Sequence, residues 1–222
     1  MKKMFILCGL LILAVPLYPQ TANGSKLVIA RLKYSGGGDW YNDPSCIPNL
    51  ASFIASNTTV QIAEKEAQIA IMDESLFSYP FIFVTGHGKI VLDEMETERL
   101  RDYLLSGGFL YVDDDYGLDE SFRTVLKRMF PEQELVELPF SHELYHIHYH
   151  FPGGPPKIHE HDDKPPKGFG LFDDSGRLMV FYTYETNISD GWASPDVHND
   201  PPEKREQALK AGVNIVIYAL MH

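Results

Sequence analysis

The 222-residue chain carries 19 Lys and Arg against 31 Asp and Glu, a formal net charge of −12. That balance excludes general nucleic-acid binding and attachment to anionic membranes, because both need a positive face. It is compatible with cation binding and equally with plain solubility.

Met1-Lys2-Lys3 followed by the apolar run Met4 to Val15 reads as a secretory signal peptide. The run is shorter than the roughly 20 residues that span a bilayer. Pro16, Pro19 and Thr21-Ala22 supply a helix-breaking, small-residue cleavage region, so residues 1–22 are expected to be removed. Cys8 lies inside the apolar run, which argues against lipidation. The expected mature chain, 23–222, is exported to a periplasmic or secreted location and has no stable membrane span. Its one thiol, Cys46, allows no internal disulfide, so the core must hold the fold.

The expected elements follow in order. Leu27 to Leu32 is a buried strand, running into the glycine-rich loop Tyr34-Ser35-Gly36-Gly37-Gly38-Asp39-Trp40-Tyr41. Asn49 to Ser56 is helical, Val60 to Ala63 a short strand, and Ser75 to Tyr79 a short turn or helix before Pro80. Phe81 to Thr85 is a second buried strand, closed by Gly86-His87-Gly88. Asp93 and Glu96 form a capping box for a helix that ends at Gly107-Gly108. Phe109 to Val112 is a third buried strand, ending in Asp113-Asp114-Asp115. A helix from about Glu120 to Met129 and a strand at Leu135 to Leu138 come next. Residues 139–167, rich in His, Pro and Gly, read as a long cover loop. Phe169 to Phe172 and Leu178 to Tyr182 form a hairpin. A helix from about Glu203 to Leu220 buries Ala208, Ala211, Ile215 and Ala219. Continuous apolar strands alternating with helices predict an α/β fold, a three-layer sandwich with a mainly parallel sheet in a single domain. In such a sheet the three unusual loops share the carboxyl edge, where sites gather.

Several groups there can carry chemistry. The glycines before Asp39, Trp40 and Tyr41 let backbone approach a ligand closely, but neither a P-loop lysine nor dinucleotide-fingerprint spacing follows. Trp40, Tyr41 and Trp192 can line a sugar or peptide site, or pack in the core. His87 closes the second strand. Asp113 and Asp114 can hold a divalent cation or act as an acid of raised pKa; they can equally cap the next helix. His142-Glu143-Leu144-Tyr145-His146 matches the zinc-protease pattern H-E-x-x-H, but flanking prolines and glycines oppose the helix that this motif requires. The wider cluster holds His142, His146, His148, His150, His159 and His161; of these His146, His148 and His150 would share one face of an extended strand and could bind zinc, copper or nickel. The alternative is a solvated polar loop. Cys46 lies among prolines rather than at a strand-to-helix elbow, and no G-x-S-x-G is present, so nucleophilic catalysis is not expected.

The order of these motifs carries a resemblance. Tyr34 to Tyr41, Tyr79-Pro80 with Thr85-Gly86-His87-Gly88, Leu100 to Phe109 into Asp113-Asp114, His142 to Tyr145, Gly191-Trp192, and Gly212-Val213-Asn214-Ile215-Val216-Ile217-Tyr218-Ala219 together resemble the domain of unknown function 4159 family. The resemblance spans nearly all of the mature chain. It implies a flavodoxin-like, class I glutamine amidotransferase-like sandwich and brings no activity. Proline is common after the first histidine of the His142 motif in that family, which would make Glu143 incidental. Amidotransferases place a cysteine at a tight turn after a strand, and no cysteine stands at those positions here. The resulting expectation is an exported ligand-binding or accessory protein without that nucleophile. Its site would lie around Asp39, Trp40, His87, Asp113, Asp114 and His142, and its partner would be a small molecule or another exported protein. The alternative is a zinc-dependent hydrolase using the His and Asp groups.

Overall fold

In a computed structural model, which describes residues 26–159 and 161–222, the apolar runs assemble into one mixed α/β sheet. The expected signal peptide lies outside the described residues. Seven strands are present among them: β1 (Ala30–Lys33), β2 (Ala67–Ala70), β3 (Phe81–His87), β4 (Phe109–Tyr116), β5 (Val136–Glu137), β6 (Lys167–Phe172) and β7 (Leu178–Tyr184). Their order is β2-β1-β3-β4-β7-β6-β5. Neighbours from β2 to β7 pair in parallel, and the β5–β6–β7 end is antiparallel.

Five α-helices accompany the sheet: α1 (Cys46–Asn57), α2 (Glu94–Leu105), α3 (Asp119–Met129), α4 (Pro195–His198) and α5 (Pro202–Met221). Side chains alternate between the two faces of a strand, so each central strand feeds two cores. Phe81, Phe83, Phe109, Tyr111 and Phe181 bury against α1 and α5. Ile82, Val84, Leu110, Val112, Val180 and Tyr182 bury against α2 and α3. Both faces are therefore covered, which is why these strands read as unbroken apolar runs. No helix among the described residues is long and apolar enough to cross a membrane.

Most boundaries match the expectation, with three differences. Val60 to Ala63 is not a strand; Ile62 alone makes a parallel bridge to Leu27. The strand beside β1 is β2, whose Ala-Gln-Ile-Ala sequence buries only Ile69 fully and so lacks a periodic signal. At the other end of the chain, Ala219 is only partly buried.

The expected capping box is present. The Asp93 carboxylate accepts from the Glu96 backbone N–H at 2.8 Å, and the Glu96 carboxylate accepts from the Asp93 N–H at 2.9 Å. Replacing Asp93 by Ala should lower unfolding free energy in urea by about 1 kcal/mol, the usual worth of an N-cap.

Candidate functional site at the carboxyl edge

The side-chain rows on the α1/α5 face grade from apolar to polar toward the carboxyl edge. Phe83, Tyr111 and Phe181 stand in register; one row further, Thr85, Asp113 and Thr183 do. Beyond that row β4 carries one extra residue, because Gly86 pairs with Asp114 and His87 with Tyr116. Asp115 is therefore at a β-bulge, a device that re-aims a side chain.

The three aspartates have three different tasks. Asp113 is fully buried. It accepts from Thr183 Oγ1 at 2.5 Å, Thr186 Oγ1 at 3.0 Å, Ser189 N–H at 2.6 Å and Ser189 Oγ at 2.7 Å. It thereby fixes the segment that follows β7. Burial pushes its pKa up against the pull of those donors. Asp114 faces the other way, caps the approach to α3 by accepting from the Leu118 N–H at 2.8 Å, and is pushed up to about 6 by burial. Neither is free to meet a ligand. Asp115 is the one turned into the edge. It accepts from Asn187 Nδ2 at 2.7 Å and from Asn42 Nδ2, and lies 3.2 Å from His87 Nδ1. Burial first, then the neighbouring Asp190, pushes it up to about 9.

The glycine loop supplies the next layer. Gly36 and Gly86 both hold positive φ, at 114° and 143°. A Cβ on Gly86 would collide with the Tyr34 hydroxyl, and one on Gly36 would sit 2.7 Å from the Lys89 carbonyl. The glycines thus let the loop dock on the chain's own β3 end rather than on a ligand. Docking places Asp39 over His87: its carboxylate accepts from the His87 N–H at 2.5 Å and lies 3.1 Å from His87 Nδ1. His87 is thus gripped through Nδ1 by two carboxylates while half of its ring stays exposed.

Arg31, on β1, positions the rest of that loop. Its buried guanidinium pairs with Glu66 at 2.9 Å and donates to the carbonyls of Trp40 at 3.2 Å and Asn42 at 2.9 Å, and to Cys46 Sγ at 3.0 Å. This delivers Asn42 and Asp43 to the edge, with Asp43 in the left-handed region at φ 46°.

A second set of side chains converges beside Asp115. His159 Nδ1 lies 2.6 Å from Asp190 Oδ2, and His159 Nε2 lies 3.0 Å from Asp200. His198 Nε2 lies 2.7 Å from Asp43 and 3.9 Å from Asp190 Oδ1. One ligand atom each from His159, Asp190 and His198 falls within 4.8 Å of the others, which suits a metal ion. Hydrogen bonding to Asp190 raises the His159 pKa. Asp190 itself lies below the usual carboxylate range, because the hydrogen bond from His159 and the nearby histidines outweigh its burial. The cover loop delivers His159: Asn214 of α5 clamps the Tyr149 backbone at 2.8 Å on both sides, and the Ile158 N–H donates to the Thr186 carbonyl at 2.8 Å.

The edge therefore unites Asp39, His87 and Asp115, with Trp40 and Tyr41 close in sequence. Trp40 packs partly against the α2/α3 core, and Tyr41 is 64% exposed. Trp192 is a core residue, not a ligand surface: it is buried against Phe83 and Tyr111 and donates Nε1–H to the Ala208 carbonyl at 2.8 Å.

The expected metal set His142, His146 and His148 does not come together. Only a 3-10 turn spans Glu143–Tyr145, so the H-E-x-x-H segment presents no α-helical face. His142 packs on Tyr218 and Phe172, and Phe172 pairs with the start of β7, so it sits at the amino ends of the parallel strands. His146 bonds His150 and the Phe140 carbonyl, while His148 packs edge-on to Tyr149. His159, a member of the expected histidine cluster, reaches this edge; His198, Asp43, Asp190, Asp200, Asn42 and Asn187 carried no expectation. The signal for the last cluster was Glu185-Thr186-Asn187-Ile188-Ser189-Asp190, a polar run following an apolar strand as the aspartate triplet does.

Cys46 is fully buried, and burial pushes its thiol up to about 12. It should resist alkylation in the native chain and label only on unfolding, as peptide mass mapping would read. Arg31→Met should cost about 3–5 kcal/mol in urea unfolding by stranding Glu66 and the loop carbonyls. Arg31→Lys should recover only part of that, since an ammonium cannot reproduce the fork.

No curated protein matches the chain. Residues 28–220 match the family model described as Domain of unknown function (DUF4159). The match covers most of the chain, and the protein belongs to the DUF4159 family.

Proposed function

We propose that this is an exported protein whose carboxyl-edge site binds a divalent transition metal through His159, Asp190 and His198, on a scaffold of the flavodoxin-like, class I glutamine amidotransferase-like kind. The convergence of those three ligand atoms carries the reading. A tetrahedral ion with bonds of roughly 2.0–2.1 Å holds its ligand atoms about 3.3 Å apart; His159 Nδ1 lies 2.6 Å from Asp190 Oδ2 and His198 Nε2 lies 3.9 Å from Asp190 Oδ1, so each imidazole faces one oxygen of the shared carboxylate at a separation near that value. Asp200 on the second nitrogen of His159 is the partner that fixes a ligating imidazole. Asp190 Oδ1 is buried without a hydrogen-bond partner. Two imidazoles and one carboxylate suit zinc and leave a position open for an incoming ligand.

The parallel strands β2-β1-β3-β4-β7 follow the doubly wound order 2-1-3-4-5, which supports the scaffold. The turns after β3 and β4 offer His87 and the aspartates where an amidotransferase would place its cysteine. Export rests on residues 1–22. A hydrolase is the second reading, favoured by His87: the carboxylates of Asp39 and Asp115 hold its Nδ1, which leaves Nε2 as a base at the same edge.

Chelator-treated protein titrated with zinc by calorimetry should bind at least one equivalent. His159→Ala and His198→Ala should each lose it, whereas His142→Ala and His146→Ala should keep it. Wild type that takes up no zinc, or loss confined to the His142 and His146 variants, overturns the assignment.

A further inference from the structure

We propose a second cation position next to the first, built only from oxygen: the carboxylates of Asp43, Asp115 and Asp190 with the side-chain amide oxygens of Asn42 and Asn187. It shares Asp190 with the zinc reading but does not depend on zinc.

The inference starts from groups that lack partners. Asn187 is fully buried, and its Nδ2 donates both to Asp115 Oδ1 at 2.7 Å and to Asp190 Oδ2 at 3.3 Å. One amide thus ties the two carboxylates together, and its oxygen has no hydrogen-bond donor. Asn42 repeats the arrangement from the opposite loop: its Nδ2 donates to Asp115, and its oxygen is buried and unpartnered. The third buried oxygen without a partner in this region is Asp190 Oδ1. Each such oxygen carries an uncompensated desolvation cost unless something positive or donating meets it.

Charge points the same way. Asn187 Nδ2 reaches both Asp115 and Asp190, at 2.7 and 3.3 Å, and His198 Nε2 reaches both Asp43 and Asp190, at 2.7 and 3.9 Å, so Asp190 stands between the other two carboxylates; among the described residues no Lys or Arg side chain pairs with any of the three. The groups of possible positive charge that face them are His87, His159 and His198. His159 and His198 serve the first site, and His87 is shared with Asp39. Buried carboxylates are normally paired or bound to metal. Acceptors without cations on one side and a mixed His and carboxylate set on the other match two ions of different hardness. An all-oxygen set of carboxylates and amide carbonyls suits manganese, magnesium or calcium rather than zinc. Asp190 lies where the two sets meet, as a shared carboxylate does in a two-metal centre.

The test uses the full chain, stripped with chelator and titrated with Mn2+ with and without one equivalent of zinc, free Mn2+ being read by its paramagnetic resonance signal. The expected result is one Mn2+ per chain, bound whether or not zinc is present. Asp115→Asn should weaken Mn2+ at least tenfold and keep zinc; His159→Ala should lose zinc and keep Mn2+; Asp190→Asn should lose both. Far-UV circular dichroism and a thermal melt verify folding, and Asp43→Asn stands in should Asp115→Asn fail to fold. Zinc binding without Mn2+ binding, or Mn2+ binding unchanged in Asp115→Asn and Asp43→Asn, overturns the second position and leaves the zinc reading standing. Mn2+ uptake without zinc uptake does the reverse.

Discussion

Four hydrogen bonds converge on the buried carboxylate of Asp113, and the geometry of the whole carboxyl edge depends on them. Hydrogen bonds to a charged acceptor are the strong kind, and a buried carboxylate left without donors would be costly. The chain after β7 therefore has one way to run. Thr183, Thr186 and Ser189 face Asp113, and the residues between and beyond them, Asn187 and Asp190, are thrown onto the neighbouring position. Arg31 performs the matching task on the other side. Its guanidinium gathers the carbonyls of the 40–43 loop and carries Asn42 and Asp43 inward. One buried anion and one buried cation, neither of them exposed to a ligand, frame the groups that are.

That framing explains why acidic groups accumulate without a basic counterweight. The edge draws on four loops joined to one another through histidines, and none of those loops brings a Lys or Arg to the carboxylates of Asp43, Asp115 and Asp190. The backbone accepts strain for the same purpose: Asp43, Glu185, Asn187 and Asn199 all lie at positive φ, and all four border the edge. Strain of that sort persists only where the surroundings over-determine it, and it gathers at functional sites.

Much of the fold was legible because burial on two faces leaves a plain mark. β3 and β4 open on uninterrupted apolar runs, Phe81 to Val84 and Phe109 to Val112, α2 announces itself through Asp93 and Glu96, and the three special loops were expected on one edge. β2 was missed because four residues with one fully buried side chain carry no period. The site was legible only in part. His87 closes β3 and Asp39 lies in the glycine-rich loop after β1, so strand ends and their loops located them. His159 and His198 sit in a long loop and a four-residue helix, where no periodicity exists to read and only tertiary bonds decide position. At Trp192 the core alternative prevailed, because the indole N–H found a carbonyl inside the core. At His142, His146 and His148 a run of histidines suggested one face, but a 3-10 turn and a tight bend send them to different neighbours.

The bonds that fix Asp113 join residues 113 and 183 to 189, and the edge as a whole gathers side chains from positions 39 to 200. No fragment of the sequence contains it. Half a chain would present isolated histidines and aspartates, and the arrangement exists only where the whole sheet is assembled. Whatever occupies that edge would therefore bind the folded chain and ignore the unfolded one, and would shift the balance between them by mass action. Occupancy would act as a reversible crosslink spanning most of the polypeptide.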